Sequence, residues 1–171
     1  MQWLNQIHNK IITSDQLSKT VSQFRDSGKK IVFTNGCFDI LHKGHVTYLA
    51  KAAELGDVLI VGINSDASVQ RQGKGEDRPV NKFDGRSVVL AALGFVEAVI
   101  EFDDDTPIAL IEEIKPDVLV KGADYDPAET DPQNKKYIVG REVVIDNGGV
   151  VKVIDLVEGF STTNIINKLQ K

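Results

Sequence analysis

The chain has 171 residues, 42% hydrophobic and 26% charged, which is the composition of a soluble globular protein with one substantial core. Its net charge of −5 argues against general binding to nucleic acid or anionic membranes, since both demand positive surface. A single cysteine, Cys37, excludes an internal disulfide framework and a cysteine-based zinc site, and fits a reducing, cytoplasmic setting. No apolar run approaches the length of a membrane span, and Met1 to Gln6 lacks the basic flank and apolar stretch of a secretory signal.

In chain order, residues 13–27 predict a helix, with Thr13 and Gln16 at capping-box spacing and Gly28 as its stop. The short apolar run from Lys30 to Asn35 predicts a buried strand. A helix over 44–55 ends at Gly56, and Asp57 to Ile63 is a second strand. Residues 64–83 read mostly as loop, Asp84 to Leu93 as helix, and Val96 to Phe102 as a third strand. Asp105-Thr106-Pro107 opens a further helix that Pro116 stops. Val118 to Val120 is a fourth strand, 123–136 a loop rich in Pro and Asp, and 137–146 a short helix. Val150 to Ile154 is a fifth strand, and Ser161 caps a last helix running to Leu169.

Strands alternating with helices predict a Rossmann-like, doubly wound α/β fold: a five-stranded parallel sheet with helices on both faces. We expect one domain over 1–171, with 1–28 as an N-terminal helical extension and 29–171 as the core. Ligands in such sheets bind beyond the carboxyl ends of the strands, where the strand order reverses. The loops after the first, second, fourth and fifth strands should therefore build the site.

The first strand runs into Asn35-Gly36-Cys37-Phe38-Asp39-Ile40-Leu41-His42-Lys43-Gly44-His45. Two of the chain's three histidines fall here, three residues apart, which puts both imidazoles on one side of a first helical turn. A helix N-terminus offers free N–H groups and the positive end of a dipole, a natural phosphate site. Gly36 permits a tight turn out of the strand, and Gly44 admits close approach of a ligand or backbone. Zinc binding by the pair lacks an evident third ligand. There is no Gly-x-Gly-x-x-Gly after the first strand, and Gly73-Lys74-Gly75 lacks the serine or threonine and the spacing of a P-loop. Residues 70–86 carry Arg71, Lys74, Arg78, Lys82 and Arg86 against Glu76, Asp77 and Asp84, a local basic stretch suited to a phosphorylated ligand.

The His-x-Gly-His segment resembles the signature of the nucleotidylyltransferase superfamily, and Glu158-Gly159-Phe160-Ser161-Thr162-Thr163 resembles its second signature. Arg78-Pro79-Val80-Asn81 and Lys121-Gly122-Ala123-Asp124-Tyr125 are similar to the heptose 1-phosphate adenylyltransferase branch. Leu156 and Val157 stand where glycerol-phosphate cytidylyltransferases carry an arginine. The resemblance implies adenylyl transfer from ATP to a heptose 1-phosphate, giving ADP-heptose for lipopolysaccharide and pyrophosphate. It implies catalytic roles for His42, His45 and Lys74. Nucleotide contacts would come from Gly36, Cys37, Phe38, Lys43, Gly44, Lys121, Gly122, Glu158, Phe160, Ser161, Thr162 and Thr163. Sugar-phosphate contacts would come from Asn35, Asp39, Asp66, Arg78 and Arg86, arginine being suited to bidentate pairing with phosphate. Mg²⁺ is expected with ATP rather than in a protein cage, and a homo-oligomer, a dimer, is expected from the resemblance. The rival readings are a cytidylyltransferase for an alcohol phosphate, a non-catalytic nucleotide sensor, and a flavodoxin-like electron carrier.

Overall fold

The computed structural model of the chain describes residues 1–73 and 77–169. Its elements run α1 (Gln2–Asn9), β1 (Ile11–Ile12), α2 (Ser14–Asp26), β2 (Ile31–Gly36), α3 (Lys43–Ala53), β3 (Val58–Asn64), α4 (Asp66–Arg71), α5 (Phe83–Ala91), β4 (Ala98–Phe102), α6 (Ile108–Ile114), β5 (Val118–Gly122), α7 (Arg141–Asp146), β6 (Val150–Ile154) and α8 (Thr162–Leu169). The strands form one sheet in the order β1-β4-β3-β2-β5-β6, with every pairing parallel.

The sheet therefore has six strands among the described residues rather than five. The additional strand is Ile11–Ile12, which pairs with Val99 and Ile100 at the edge. Two residues are too few to produce a period-2 signal, so only the neighbouring strand reveals them. The first 28 residues are likewise more than an extension, because Leu17 and Val21 of α2 are buried in the core. The capping box expected there is visible in the Gln16 side chain, which accepts from the Thr13 N–H at 3.0 Å. Within the stretch read as loop, Ser65 starts the short helix α4 by accepting from the Ser68 N–H at 2.9 Å. Helix α7 begins later than expected, at Gly140, whose φ of +84° is a backbone conformation that glycine adopts without cost.

Both faces of the sheet are covered, so its strands read as continuous apolar runs. Along β2, Ile31 and Phe33 point into a cluster with Leu17, Leu110, Ile111, Ile114 and Val144. Val32, pointing the other way, joins Tyr48, Leu49, Ala52, Leu90 and Ala91. Phe33, Ile60, Leu49 and Leu119 are fully buried. The chain moves outward from β2 to β3 and β4, then returns to the opposite side of β2 with β5. The order reverses between β2 and β5, and a crevice opens beyond their carboxyl ends.

Candidate active site

Four loops meet in that crevice around a cavity of about 510 Å³, within the ordinary range of a small-molecule site. Asn35 to Phe38 run off the end of β2, Asn64 and Gln72 flank α4, Lys121 and Gly122 end β5 with Asp124 and Tyr125 beyond, and Leu156, Val157, Phe160, Ser161 and Thr162 follow β6. His42, Gly44, His45 and Tyr48 close it along the start of α3.

Helix α3 starts where the sequence pattern places it. His42 is the N-cap in extended backbone, and its Nδ1 accepts the His45 backbone N–H at 3.4 Å. An imidazole that accepts at Nδ1 carries its proton on Nε2, so His42 is a donor there. The two rings stack with centroids 3.8 Å apart and planes at 16°. Burial holds His42 below the usual histidine range. Burial, and then the neighbouring His42, push His45 down to about 4. A backbone hydrogen bond with Ile40 only partly offsets this, so both imidazoles are neutral near pH 7 and each carries one N–H. His45 Nδ1 is buried without a hydrogen-bond partner among the described residues.

A second helix N-terminus faces the first. Ser161 caps α8 by accepting the Asn164 N–H at 3.0 Å, and Thr162 Oγ1 reaches the Ile40 carbonyl at 3.5 Å. A Cβ at Gly44 would meet the His42 ring at 3.0 Å and Phe160 Cβ at 3.1 Å. A side chain there would press on both helix starts, which glycine lets sit close together. Their combined dipoles and free amides favour negative charge between them.

At the strand ends lies Lys121, 8% exposed. Its Nζ donates to Asn35 Oδ1 at 2.5 Å and sits 5.4 Å from the centre of the Tyr125 ring. Burial pushes the ammonium down to about 8. The nearby Asp124 carboxylate favours the charged form, but burial outweighs it.

Of the residues expected to form the site, Asn35, Gly36, Cys37, Phe38, His42, Gly44, His45, Lys121, Gly122, Phe160, Ser161 and Thr162 line the cavity together. Lys43 is exposed at the rim with its Nζ 5.6 Å from the Phe160 ring centre, and Glu158 and Thr163 are also outside the lining. Lys74 lies outside the described residues. Asp39, Asp66, Arg78 and Arg86 do not line the cavity; they sit in the wall behind the loop from β2 to α3. Asp39 accepts from Arg78 Nε and from the N–H groups of Val80 and Asn81. Burial raises its pKa, but those two N–H bonds and the arginine outweigh it and hold the carboxyl below the usual range.

The lining also includes Asn64, Gln72, Tyr48, Asp124, Tyr125, Leu156 and Val157, to which sequence reading gave no site role. Tyr48 was discoverable, since it follows His45 by three residues and so continues the same helical face. Asp124 and Tyr125 stand directly after Lys121-Gly122-Ala123. Asn64 ends β3 and Gln72 is the C-cap of α4, so the placement of α4 brings both to the cavity.

Comparison with known proteins agrees with this geometry. A cytidylyltransferase-like family model matches residues 33–168. The bifunctional protein HldE of Campylobacter concisus (strain 13826) is 54% identical over 162 residues, covering 95% of this chain and 31% of the relative. HldE of Pectobacterium carotovorum subsp. carotovorum (strain PC1) is 54% identical over 160 residues, covering 94% of this chain and 32% of the relative. The chain thus spans about a third of the length of the curated relatives it matches. Among solved structures, the lipopolysaccharide core biosynthesis protein from Thermoplasma volcanium GSS1 has a TM-score of 0.57 at 27% identity, covering 76% of this chain and 98% of that one. A match over most of the chain, on a parallel sheet whose switch point carries the paired histidines, makes this protein a member of the cytidylyltransferase-like family.

Proposed function

We propose that the protein is an adenylyltransferase that moves AMP from ATP to D-glycero-β-D-manno-heptose 1-phosphate, giving ADP-heptose and pyrophosphate. The observation that carries this reading is the stacked, neutral His42–His45 pair at the start of α3, facing the start of α8 across one cavity. The heptose assignment is supported by the HldE relatives and by the likeness to a lipopolysaccharide core biosynthesis protein. Leu156 and Val157 line the cavity with apolar surface where the glycerol-phosphate rival would place an arginine.

The chemistry asks little of a base. A phosphate monoester has its second pKa near ~6, so the attacking oxygen is already anionic at neutral pH. An oxygen of the sugar phosphate attacks the α-phosphorus of ATP, the bond to the β-phosphate bridging oxygen breaks, and pyrophosphate leaves. The protein's part is alignment and neutralisation of charge on the phosphates. Neutral imidazoles serve the alignment, because each can donate an N–H to a phosphate oxygen, while the counter-charge comes from the lysines and magnesium. His42 and His45 are assigned to the phosphates in flight, Ser161 to Thr163 and Lys43 to the triphosphate, and Lys121 and Gly122 to the nucleotide. Lys74 keeps its assignment to the triphosphate on sequence grounds. Magnesium belongs to this reading as the companion of ATP. It enters in this reading on the ATP phosphates with waters completing its shell. A homo-oligomer, most simply a dimer, belongs to the same reading.

Pyrophosphate release with ATP or CTP, each paired with heptose 1-phosphate or glycerol 3-phosphate, tests the assignment. The expected result is turnover with ATP and heptose 1-phosphate. Preference for CTP and glycerol 3-phosphate would replace it with the cytidylyltransferase reading. Nucleotide binding with no pyrophosphate from any pair would leave a sensor.

A further inference from the structure

We propose that Arg86 is a positioning residue that holds, from behind the cavity wall, the loop delivering His42 and His45. The proposal builds on the adenylyltransferase reading, because what it positions is that reading's histidine pair. The Arg86 side chain is completely buried. Its Nε donates to the Asn81 carbonyl at 3.0 Å and its Nη1 to the Cys37 carbonyl at 2.7 Å. Its Nη2 donates to the Asn64 carbonyl and to Asp66 Oδ1, both at 2.8 Å. One planar fork therefore ties together the end of β3, the first residue after β2, the segment ahead of α5 and the start of α4. Lysine cannot imitate that, since it offers a single point of charge.

Asn81 carries the hold one step further. Its N–H donates to Asp39 Oδ1 at 2.8 Å and its Nδ2 to the Asp39 carbonyl at 2.6 Å. Cys37 and Asp39, the two residues held, flank Phe38, whose φ of +45° is a conformation that non-glycine residues rarely keep without outside support. The Phe38 ring meets His45 edge-on with centroids 5.4 Å apart. Phe38 and Leu41 pack against the core, yet a cavity of about 140 Å³ remains behind the loop beside Arg86 and Val89. Hydrogen bonds to Arg86 and Asn81 add to that packing in setting the loop, and the loop leads into the start of α3. Four hydrogen bonds satisfy a charge that would otherwise be costly to bury, and the return is a rigid loop.

The test uses the full chain carrying Arg86→Lys. Misplacing aligned groups by about 1 Å costs about 100-fold in rate, so we expect turnover in pyrophosphate release to fall by about 10- to 100-fold with the nucleotide KM essentially unchanged. That split marks loss of transition-state alignment rather than of binding. A second readout does not depend on activity. In the wild type His45 stays neutral down to about 4; in the variant, water admitted by the loosened loop moves its midpoint toward the ordinary ~6.5, read by NMR of the three imidazoles. Where Arg86→Lys fails to fold, Asp66→Ala asks the same question, because it frees one contact and leaves the three carbonyls. The same two changes are expected there, smaller in size. Wild-type turnover or an unmoved His45 midpoint in a folded variant overturns the clamp. If the wild type releases no pyrophosphate from any substrate pair, the adenylyltransferase reading fails and the His45 midpoint still decides the clamp.

Discussion

The two sides of the loop joining β2 to α3 treat polar groups in opposite ways. Behind it, Asp39, Arg78, Asp66 and Arg86 are paired with one another or with backbone. In front of it, His45 Nδ1 has no hydrogen-bond partner among the described residues, and the buried Lys121 donates to the Asn35 amide with Asp124 and the Tyr125 ring nearby. Groups satisfied by the protein itself fix geometry. Groups left short of partners in a cavity are the ones a ligand completes, because burying them unpaired otherwise costs free energy. By that criterion Arg78 and Arg86 are held by the protein's own acceptors, while the histidines and Lys121 line the cavity.

The largest effect is expected at His45. His45→Ala removes a preorganised donor worth about 3 kcal/mol to the transition state, so turnover falls by about 10²- to 10³-fold while thermal unfolding remains cooperative. Near-wild-type turnover would sink the assignment of the pair. Lys121→Met comes next. Losing a charged hydrogen bond of about 1.5–3 kcal/mol weakens nucleotide binding by about 10- to 100-fold, measured by calorimetric titration. The same change raises the melting temperature at pH 7, since the burial of that ammonium outweighs the attraction of Asp124. Binding lost together with stability lost would make Lys121 part of the scaffold and erase the contrast.

Proton linkage separates the two cavity groups by pH. The unfolded chain protonates His45 near ~6.5, whereas the folded one waits until about 4. Stability therefore falls as pH drops through that window, and His45→Ala flattens this part of the profile. For Lys121 the folded value is about 8 against 10.5 for the free side chain. Between them the unfolded chain binds more protons, so stability rises with pH there, and nucleotide affinity falls as the ammonium is lost. Denaturant titrations across pH check both slopes. The smallest effect is expected at Tyr48→Phe, which breaks the 2.7 Å buried bond to Thr34. It costs about 1 kcal/mol, or about 2–4 °C in melting temperature.

Much of this was legible from the residues in order. The apolar runs at 30–35, 57–63 and 150–154, punctuated by Gly28, Gly56 and Pro116, are local properties, and they predict alternating strands and helices. The His42–His45 spacing is equally local, because one helical turn suffices to bring the rings together. Which strand neighbours which was not local. The pairing of Ile11–Ile12 with β4 and the return of β5 beside β2 depend on contacts some 80 residues apart in the chain. The fate of Arg86 was decided at the same level. A sequence shows that an arginine sits in a basic stretch but not whether its donors end on phosphate or on the carbonyls of Cys37, Asn64 and Asn81. Periodicity and turn chemistry act between near neighbours and can be read in one dimension. The satisfaction of a buried charge is settled only when distant segments close around it.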